Sequence, residues 1–172
     1  MFNKYKFREN PGGYSKLFQR EKSKLKKIVG CNALIKHVGS TAVKGLGGKG
    51  ILDIVIALPK SKLVFARAKL QDAGYAFKCL PEITERDFFK KEYIYRKCFR
   101  MVHLHLTFEK SIEYKRLISF VEYMNSHPEE IKKYEQIKKE AVKYAKGDGK
   151  KYRAYKNNYL KKLTQKAFRN FE

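Results

Sequence analysis

Apolar residues recur with two different periods along this chain, and the change of period divides it. Residues 14–29 place Tyr14, Leu17, Phe18, Leu25, Ile28 and Val29 on one face, which predicts a helix ended by Gly30. "NALIKHV" (32–38) reads as a short strand stopped at Gly39. "ILDIVIAL" (51–58) is a β-branched apolar run closed by Pro59, the pattern of a buried strand. A helix over 61–73 stopped by Gly74 and a strand at 75–79 follow. Residues 81–97 are polar, aromatic and weakly patterned, which predicts a loop with an extended piece. In "RMVHLHLTF" (100–108) the pattern alternates, with Val102, Leu104, Leu106 and Phe108 on one face and Met101, His103, His105 and Thr107 on the other. One face should lie under helices and the other should face a cleft.

After Glu109 the period becomes 3.6 and stays there. A helix over about 111–126 is followed by one carrying Ile131, Tyr134, Ile137, Ala141 and Ala145. "SHPEE" (126–130) reads as its start, with Pro128 at the first helical position and acids in the first turn. "KGDGK" (146–150) breaks it, and a last helix carries Tyr152, Tyr155, Tyr159, Leu163 and Ala167. The expected organisation is an α/β core over 1–110 and a helical C-terminal part over 111–172 packed on it.

Composition adds a charge and removes some classes. The chain has 40 Lys and Arg against 17 Asp and Glu, a net charge of +23 spread along its whole length. Such a field favours polyanions, with RNA one candidate partner, although lysine used as a solubilising surface residue gives the same sum. Cys31, Cys79 and Cys98 are odd in number and widely spaced, which argues against a disulfide framework or a thiolate zinc site. No apolar run reaches the length of a membrane span, and "MFNKYKFREN" lacks the apolar stretch of a signal peptide. The expected compartment is the cytoplasm, with no membrane partner.

The candidate chemistry lies between the first two strands. Gly45, Gly47 and Gly50 spell GxGxxG, but they precede a strand, whereas a dinucleotide fingerprint follows one and opens a helix. A Walker A loop fails too, because Val43 stands at its first glycine and Gly50 replaces its Ser/Thr. What remains is a strand, Gly39-Ser40-Thr41 opening a helical turn, and a strand bearing Asp53. Gly39 permits close approach, Ser40 and Thr41 offer hydroxyls and N–H groups, and Asp53 supplies a carboxylate where Mg²⁺ could join it to phosphates. A Ser/Thr cap and a hydrogen-bonded buried aspartate would leave the same pattern, but burying that carboxylate is costly.

The string "HVGSTAVKGLGGKGILDI" resembles the GrpB-like family, with its typical HVGSTxVPGLxAKPIIDI, within the nucleotidyltransferase fold of the DNA polymerase β superfamily. "HLHL" (103–106) is similar to that family's HLH strand. "FVEYMNSHPEEIKKYEQIKKEAVKYA" resembles its FRDYLRxHPxxxxxYxxLKxxLA segment, and "YRAYKNNYL" its YxxxKxxFI. The resemblance implies an α+β fold: a nucleotidyltransferase-like mixed sheet with flanking helices, followed by a C-terminal helical bundle. It carries onto Gly39, Ser40, Lys49, Asp53, His103, His105 and Lys156. Lys44 and Gly50 replace two family prolines, and Val55 stands where the wider superfamily's Asp-x-Asp has its second acid. Two-metal transfer uses carboxylates to hold both ions, so that chemistry lacks a ligand here.

Asp53, His103 and His105 are therefore the candidate catalytic and metal-binding residues. A strand neighbouring that of Asp53 would bring two imidazoles to one carboxylate, a donor set for Zn²⁺, Mn²⁺ or Fe²⁺. The imidazoles could instead bind phosphate, act as general base, or bond to Asp53 and backbone as cleft-lining residues. His37 reads as a structural anchor. Lys49 offers a point charge to phosphate or to a salt bridge, and Lys156 reaches the cleft or the surface. Arg86, with the aromatics of "ERDFF", could clamp a base or phosphate. Glu82, Glu85 and Asp87 are candidates for a second carboxylate. The tyrosines at 152, 155 and 159 read as helix packing. The expected ligand is a nucleotide or another phosphorylated small molecule, with Mg²⁺ or Mn²⁺ the candidate cofactor. The reaction class is nucleotidyl or phosphoryl transfer. The alternatives are a catalytically incomplete nucleotide- or RNA-binding module and a metal-dependent hydrolase built on the HxH strand.

Overall fold

The computed structural model describes residues 13–79 and 85–171; the N-terminal string and Glu82 lie outside them. The elements run α1 (Tyr14–Val29), β1 (Leu34–Val38), β2 (Ile51–Leu58), α2 (Leu63–Asp72), β3 (Ala76–Lys78), β4 (Arg86–Tyr95), β5 (Cys98–Phe108), α3 (Ile112–Ser126), α4 (Pro128–Ala145) and α5 (Gly149–Arg169). The fold is α+β. One mixed sheet has the order β1-β2-β5-β4-β3, with β2 and β5 parallel and the other pairs antiparallel.

Alternation along β2 and β5 sends Leu52, Ile54, Ile56, Val102, Leu104 and Leu106 to one face, where they are buried with Phe18 and Leu25 of α1 and Ala66 and Leu70 of α2. This is the predicted helix-covered face. A second core joins Phe120, Met124, Tyr134 and Leu163 of α3, α4 and α5 to Val43 and Leu46 of the glycine-rich loop. The loop is therefore anchored by its two apolar residues in the C-terminal helices.

Residues 86–95, expected as a loop with an extended piece, form a ten-residue strand. Its outward polar side chains weaken the pattern, but Phe89 is fully buried opposite Leu104. The β4–β5 turn is Arg96-Lys97, both at positive φ, so the glycine or asparagine that marks such a hairpin in a sequence is missing. The helix ends also differ in one place. Asp148 caps α5 by accepting from Lys150 N and Lys151 N, and Ser111 caps α3 by accepting from Tyr114 N. Pro128, Glu129 and Glu130 open α4 as expected, but Ser126 closes α3 by donating to Glu122 O and Tyr123 O instead of capping α4.

Candidate functional site

The parallel register of β2 and β5 sets Asp53 directly beside His103 and Val55 beside His105. His103 Nδ1 lies 3.1 Å from Asp53 Oδ1 and donates to it. His105 Nε2 lies 3.7 Å from the same oxygen, a Coulombic contact rather than a hydrogen bond. Burial alone would raise the Asp53 carboxyl, but the two imidazoles more than offset this and hold it well below the usual carboxylate range. Burial lowers His105, against the pull of Asp53. Its Nδ1 is buried with no hydrogen-bond partner among the described residues. Phe88 of β4 packs its ring against both imidazoles, 4.9 and 5.3 Å between centroids.

Gly39 is required by Asp53. It has φ +69°, and a Cβ there would sit 2.6 Å from Asp53 Oδ2. Next to it, Thr41 Oγ1 donates to Ile51 O at 3.0 Å and so accepts from His37 Nε2 at 2.9 Å. His37 is held neutral, because burial lowers it to about 4 against the raising effect of Asp53, and it stacks on Phe18. His37 is thus the expected anchor. Thr41 belongs to the same latch, buried and committed at its hydroxyl, and not to the cleft wall. The expected helical turn is a single 3-10 turn, Ser40–Ala42, too short to act as a helix dipole.

The polar face of the sheet and helices α3, α4 and α5 line a cleft of about 720 Å³. Gly39, Ser40, Asp53, His103 and His105 line it from the sheet side. Lys49, Arg86 and Lys156 also line it, so these sequence-predicted residues come together. The structure adds Arg116, Lys138 and Arg153. Lys49 Nζ lies 4.1 Å from the centroid of the Tyr152 ring and Lys156 Nζ 6.0 Å from it. Burial first, then Lys156 and Arg153, lower Lys49 to about 8. Lys156 is lowered by burial and by Arg153, with Asp53 opposing.

Lys138 is the main residue that reading the sequence missed. It is 3% exposed, and its Nζ donates to Gly47 O at 2.7 Å, while Glu135 of the same helix accepts from Gly47 N at 2.7 Å. Helix α4 thus grips one residue of the loop by both its N–H and its carbonyl. Gly48 permits this: a Cβ there would lie 3.2 Å from Lys138 Nζ and 3.1 Å from Ser40 Oγ. Burial, then Lys156 and Lys49, lower Lys138 to about 7. Tyr134, Lys138, Ala141 and Ala145 share the buried stripe of α4 at helical spacing, and Ile137 is not fully buried. Arg153, Lys156 and Leu160 similarly form one stripe of α5, offset from the tyrosine stripe. Of that stripe, Tyr152 is buried, Tyr159 stacks on Tyr134, and Tyr155 is 39% exposed.

Asp53, His103 and His105 meet on the cleft face of the sheet. The nitrogens nearest Asp53 both approach one oxygen, and His103, donating through Nδ1, keeps its lone pair on Nε2. Among the described residues, no group of three or more His, Cys, Asp and Glu is arranged to hold a metal ion. Of the candidate second acids, Glu85 and Asp87 are engaged elsewhere. Asp87 is on the opposite face, bonded to Arg67 at 2.8 and 3.0 Å, and Glu85 accepts from Ile112 N. The carboxylate that does reach the cleft is Glu113 of α3, already paired with Arg86 at 3.3 Å and Arg116 at 2.9 Å. Arg86 Nε is buried without a partner among the described residues. Among the described residues, no helix is long and apolar enough to cross a membrane.

The profile of a family described as GrpB protein matches residues 8–166. The chain is 29% identical over 153 residues to the "Glutamate-rich protein GrpB" of Alkalihalophilus pseudofirmus, covering 87% of this chain and 88% of that one. It is 26% identical over 158 residues to the UPF0157 protein YqkA of Bacillus subtilis, 91% of this chain and 45% of that longer relative. The crystal structure of conserved protein GrpB from Enterococcus faecalis has the same fold, with a TM-score of 0.81 at 24% identity over 96% of this chain and 99% of that one.

Proposed function

Given that the chain belongs to the GrpB family, we propose that its cleft binds a nucleotide or another phosphorylated ligand. The observation that carries this reading is the charge of the cleft wall. Lys49, Arg86, Arg116, Lys138, Arg153 and Lys156 line it against the carboxylates of Asp53 and Glu113. Leu117, Phe120 and Leu160 line the same space and give it room for an apolar or ring-bearing part of the ligand.

Asp53 and His103 give such a ligand an orienting carboxylate and a base. With Nδ1 turned to Asp53, the other nitrogen, Nε2, is the one able to accept a proton. In nucleotidyl or phosphoryl transfer, an acceptor hydroxyl would pass its proton to that nitrogen as its oxygen bonds to phosphorus. The leaving phosphate oxygen would take the electron pair of the broken P–O bond, its charge balanced by the lysines. A second reading, binding without turnover, is favoured by Val55, which is fully buried beside His105 and leaves β2 with one acid.

Thermal-shift and calorimetric titrations with nucleoside phosphates and sugar phosphates test the common part. A stabilising ligand is expected, and its effect should shrink in Lys156→Met and Lys49→Met. No response to any phosphorylated compound would end the proposal.

A further inference from the structure

Lys138 is 3% exposed and lines the cleft from α4. A lysine placed so deeply ordinarily pairs with a carboxylate. Here Nζ donates to Gly47 O at 2.7 Å and lies 4.6 Å from the centroid of the Tyr134 ring, and among the described residues it forms no ion pair. Glu135, three residues earlier, turns its carboxylate to Gly47 N and acts on Lys138 only at longer range. A neutral carbonyl therefore holds the amine in place, and a carbonyl accepts from the charged and the uncharged form alike. The surroundings favour the uncharged form. Burial, then Lys156 and Lys49, lower Lys138 to about 7, against the raising effects of Glu135 and Asp53. Losing that proton leaves one N–H on Gly47 O and gives nitrogen the lone pair that an ammonium lacks. A desolvated amine beside other cations is the arrangement that makes lysine a nucleophile toward carbonyl carbon.

Resting on the phosphorylated-ligand reading above, we propose that Lys138 is a nucleophile that forms an imine with a phosphorylated carbonyl compound held in the cleft. The Nζ lone pair attacks the carbonyl carbon while the π pair of the C=O bond moves to oxygen. That oxygen takes both protons of the amine and leaves as water, so C=N replaces C=O with no change of oxidation state. Arg153 and Lys156 of α5 line the same cleft, three residues apart on one helix face, and supply charge for the phosphate. The bond to Gly47 O holds Nζ in one position, so the phosphate contacts bring the carbonyl carbon to a nucleophile that is already placed.

Reductive trapping with glyceraldehyde 3-phosphate and cyanoborohydride, mapped by peptide mass spectrometry, tests this, with glyceraldehyde as the unphosphorylated control. Near neutral pH, Lys138 should be modified at least about tenfold faster than the exposed Lys16 and Lys27, because only the neutral fraction of an amine attacks. Its rate should rise through about pH 7 and then level as its proton is lost, while solvated amines go on gaining. At Lys138 the phosphorylated aldehyde should outpace glyceraldehyde by about tenfold, and Lys156→Met should shrink that ratio. The ratio isolates the phosphate contact, since losing Lys156 also raises Lys138 and slows both aldehydes alike. Arg67→Ala, on the far side of the sheet, should leave rate and ratio as in the parent. The label is mapped on the parent protein, so no Lys138 variant has to fold. Modification of Lys138 no faster than that of Lys16 overturns the inference, and the thermal-shift titrations report on the phosphorylated-ligand reading independently. Fast modification of Lys138 by both aldehydes alike overturns the phosphorylated class of the substrate. Slow modification together with no thermal response to any phosphorylated compound overturns the inference and the reading beneath it.

Discussion

The two faces of the sheet are made by the same strands and have opposite characters. On one, Leu52, Ile54, Leu104 and Leu106 meet α1 and α2 in a dry core. On the other, Asp53, His103 and His105 look across a cleft at the cations of α3, α4 and α5. Each residue on β2 and β5 is one step from the opposite face. The dry face carries stability that does not depend on chemistry. The cleft face holds groups that the fold would shed if stability alone were selected: a carboxylate, two imidazoles and crowded ammoniums. Even the dry side tolerates one charge on terms that show the contrast. Glu21 of α1 is 1% exposed, but Tyr75 and Tyr93 donate to it and Lys24 lies 3.2 Å away. Its needs are met within the fold, while those of the cleft point outward to a ligand.

The comparison is broken most strongly from the dry side. Leu104→Ala deletes a fully buried side chain at the centre of that core and is expected to cost about 2–5 kcal/mol in urea unfolding. Folded Leu104→Ala protein should keep its ligand affinity. Equal loss of affinity and stability would show that the two faces are not separable.

Gly39→Ala attacks the cleft side through the backbone. The positive φ and the collision with Asp53 Oδ2 together are expected to cost about 1–3 kcal/mol. The variant should also displace the carboxylate, so the His103 Nδ1 proton seen by NMR should lose its hydrogen-bonded shift. An unchanged resonance would remove Gly39 from the positioning of Asp53.

The smallest effect, and the sharpest in sign, comes from pH. Burial lowers Lys138 and Lys49 from 10.5 to about 7 and about 8 on folding, with Lys156, Lys49 and Arg153 adding to the change and Glu135 and Asp53 opposing it. Between those values and 10.5 the unfolded chain binds more protons than the native one, so the empty protein should gain stability as pH rises from about 7 to 9. Anion affinity should fall over the same range, because the same lysines lose charge. His37 titrates near 4, outside this window. Urea midpoints and ATP affinities at the two pH values measure both trends. A midpoint that falls with pH would contradict the burial of charged Lys138 and Lys49, and Lys138→Met should flatten the rise.

Much of this was legible in the chain. The alternation in "RMVHLHLTF" separated the core face from the cleft face and placed His103 and His105 together. Gly39, Ser40, Lys49, Asp53, Arg86 and Lys156 were marked, and all six line the cleft. Thr41 was marked for its hydroxyl, but a hydroxyl's partners are set by what folds against it, and here they are Ile51 O and His37. β4 was not legible because its strength comes from pairing with β5 across a glycine-free turn. Lys138 hid in an apolar stripe, where a lysine contributes nothing to a hydrophobic pattern and only its partners explain its burial.

The sequence by itself determined the elements other than β4, the two-faced sheet and the residues that the sheet presents to the cleft, because periodicity and backbone preference act locally. Only the tertiary structure decided how those groups pair. It bonded the Asp53 carboxylate to the His103 imidazole, paired Glu113 with arginines, and brought lysines from the loop, α4 and α5 into one wall. Charge interactions depend on distance and burial, and neither exists for residues far apart in the chain until the helices close over the sheet.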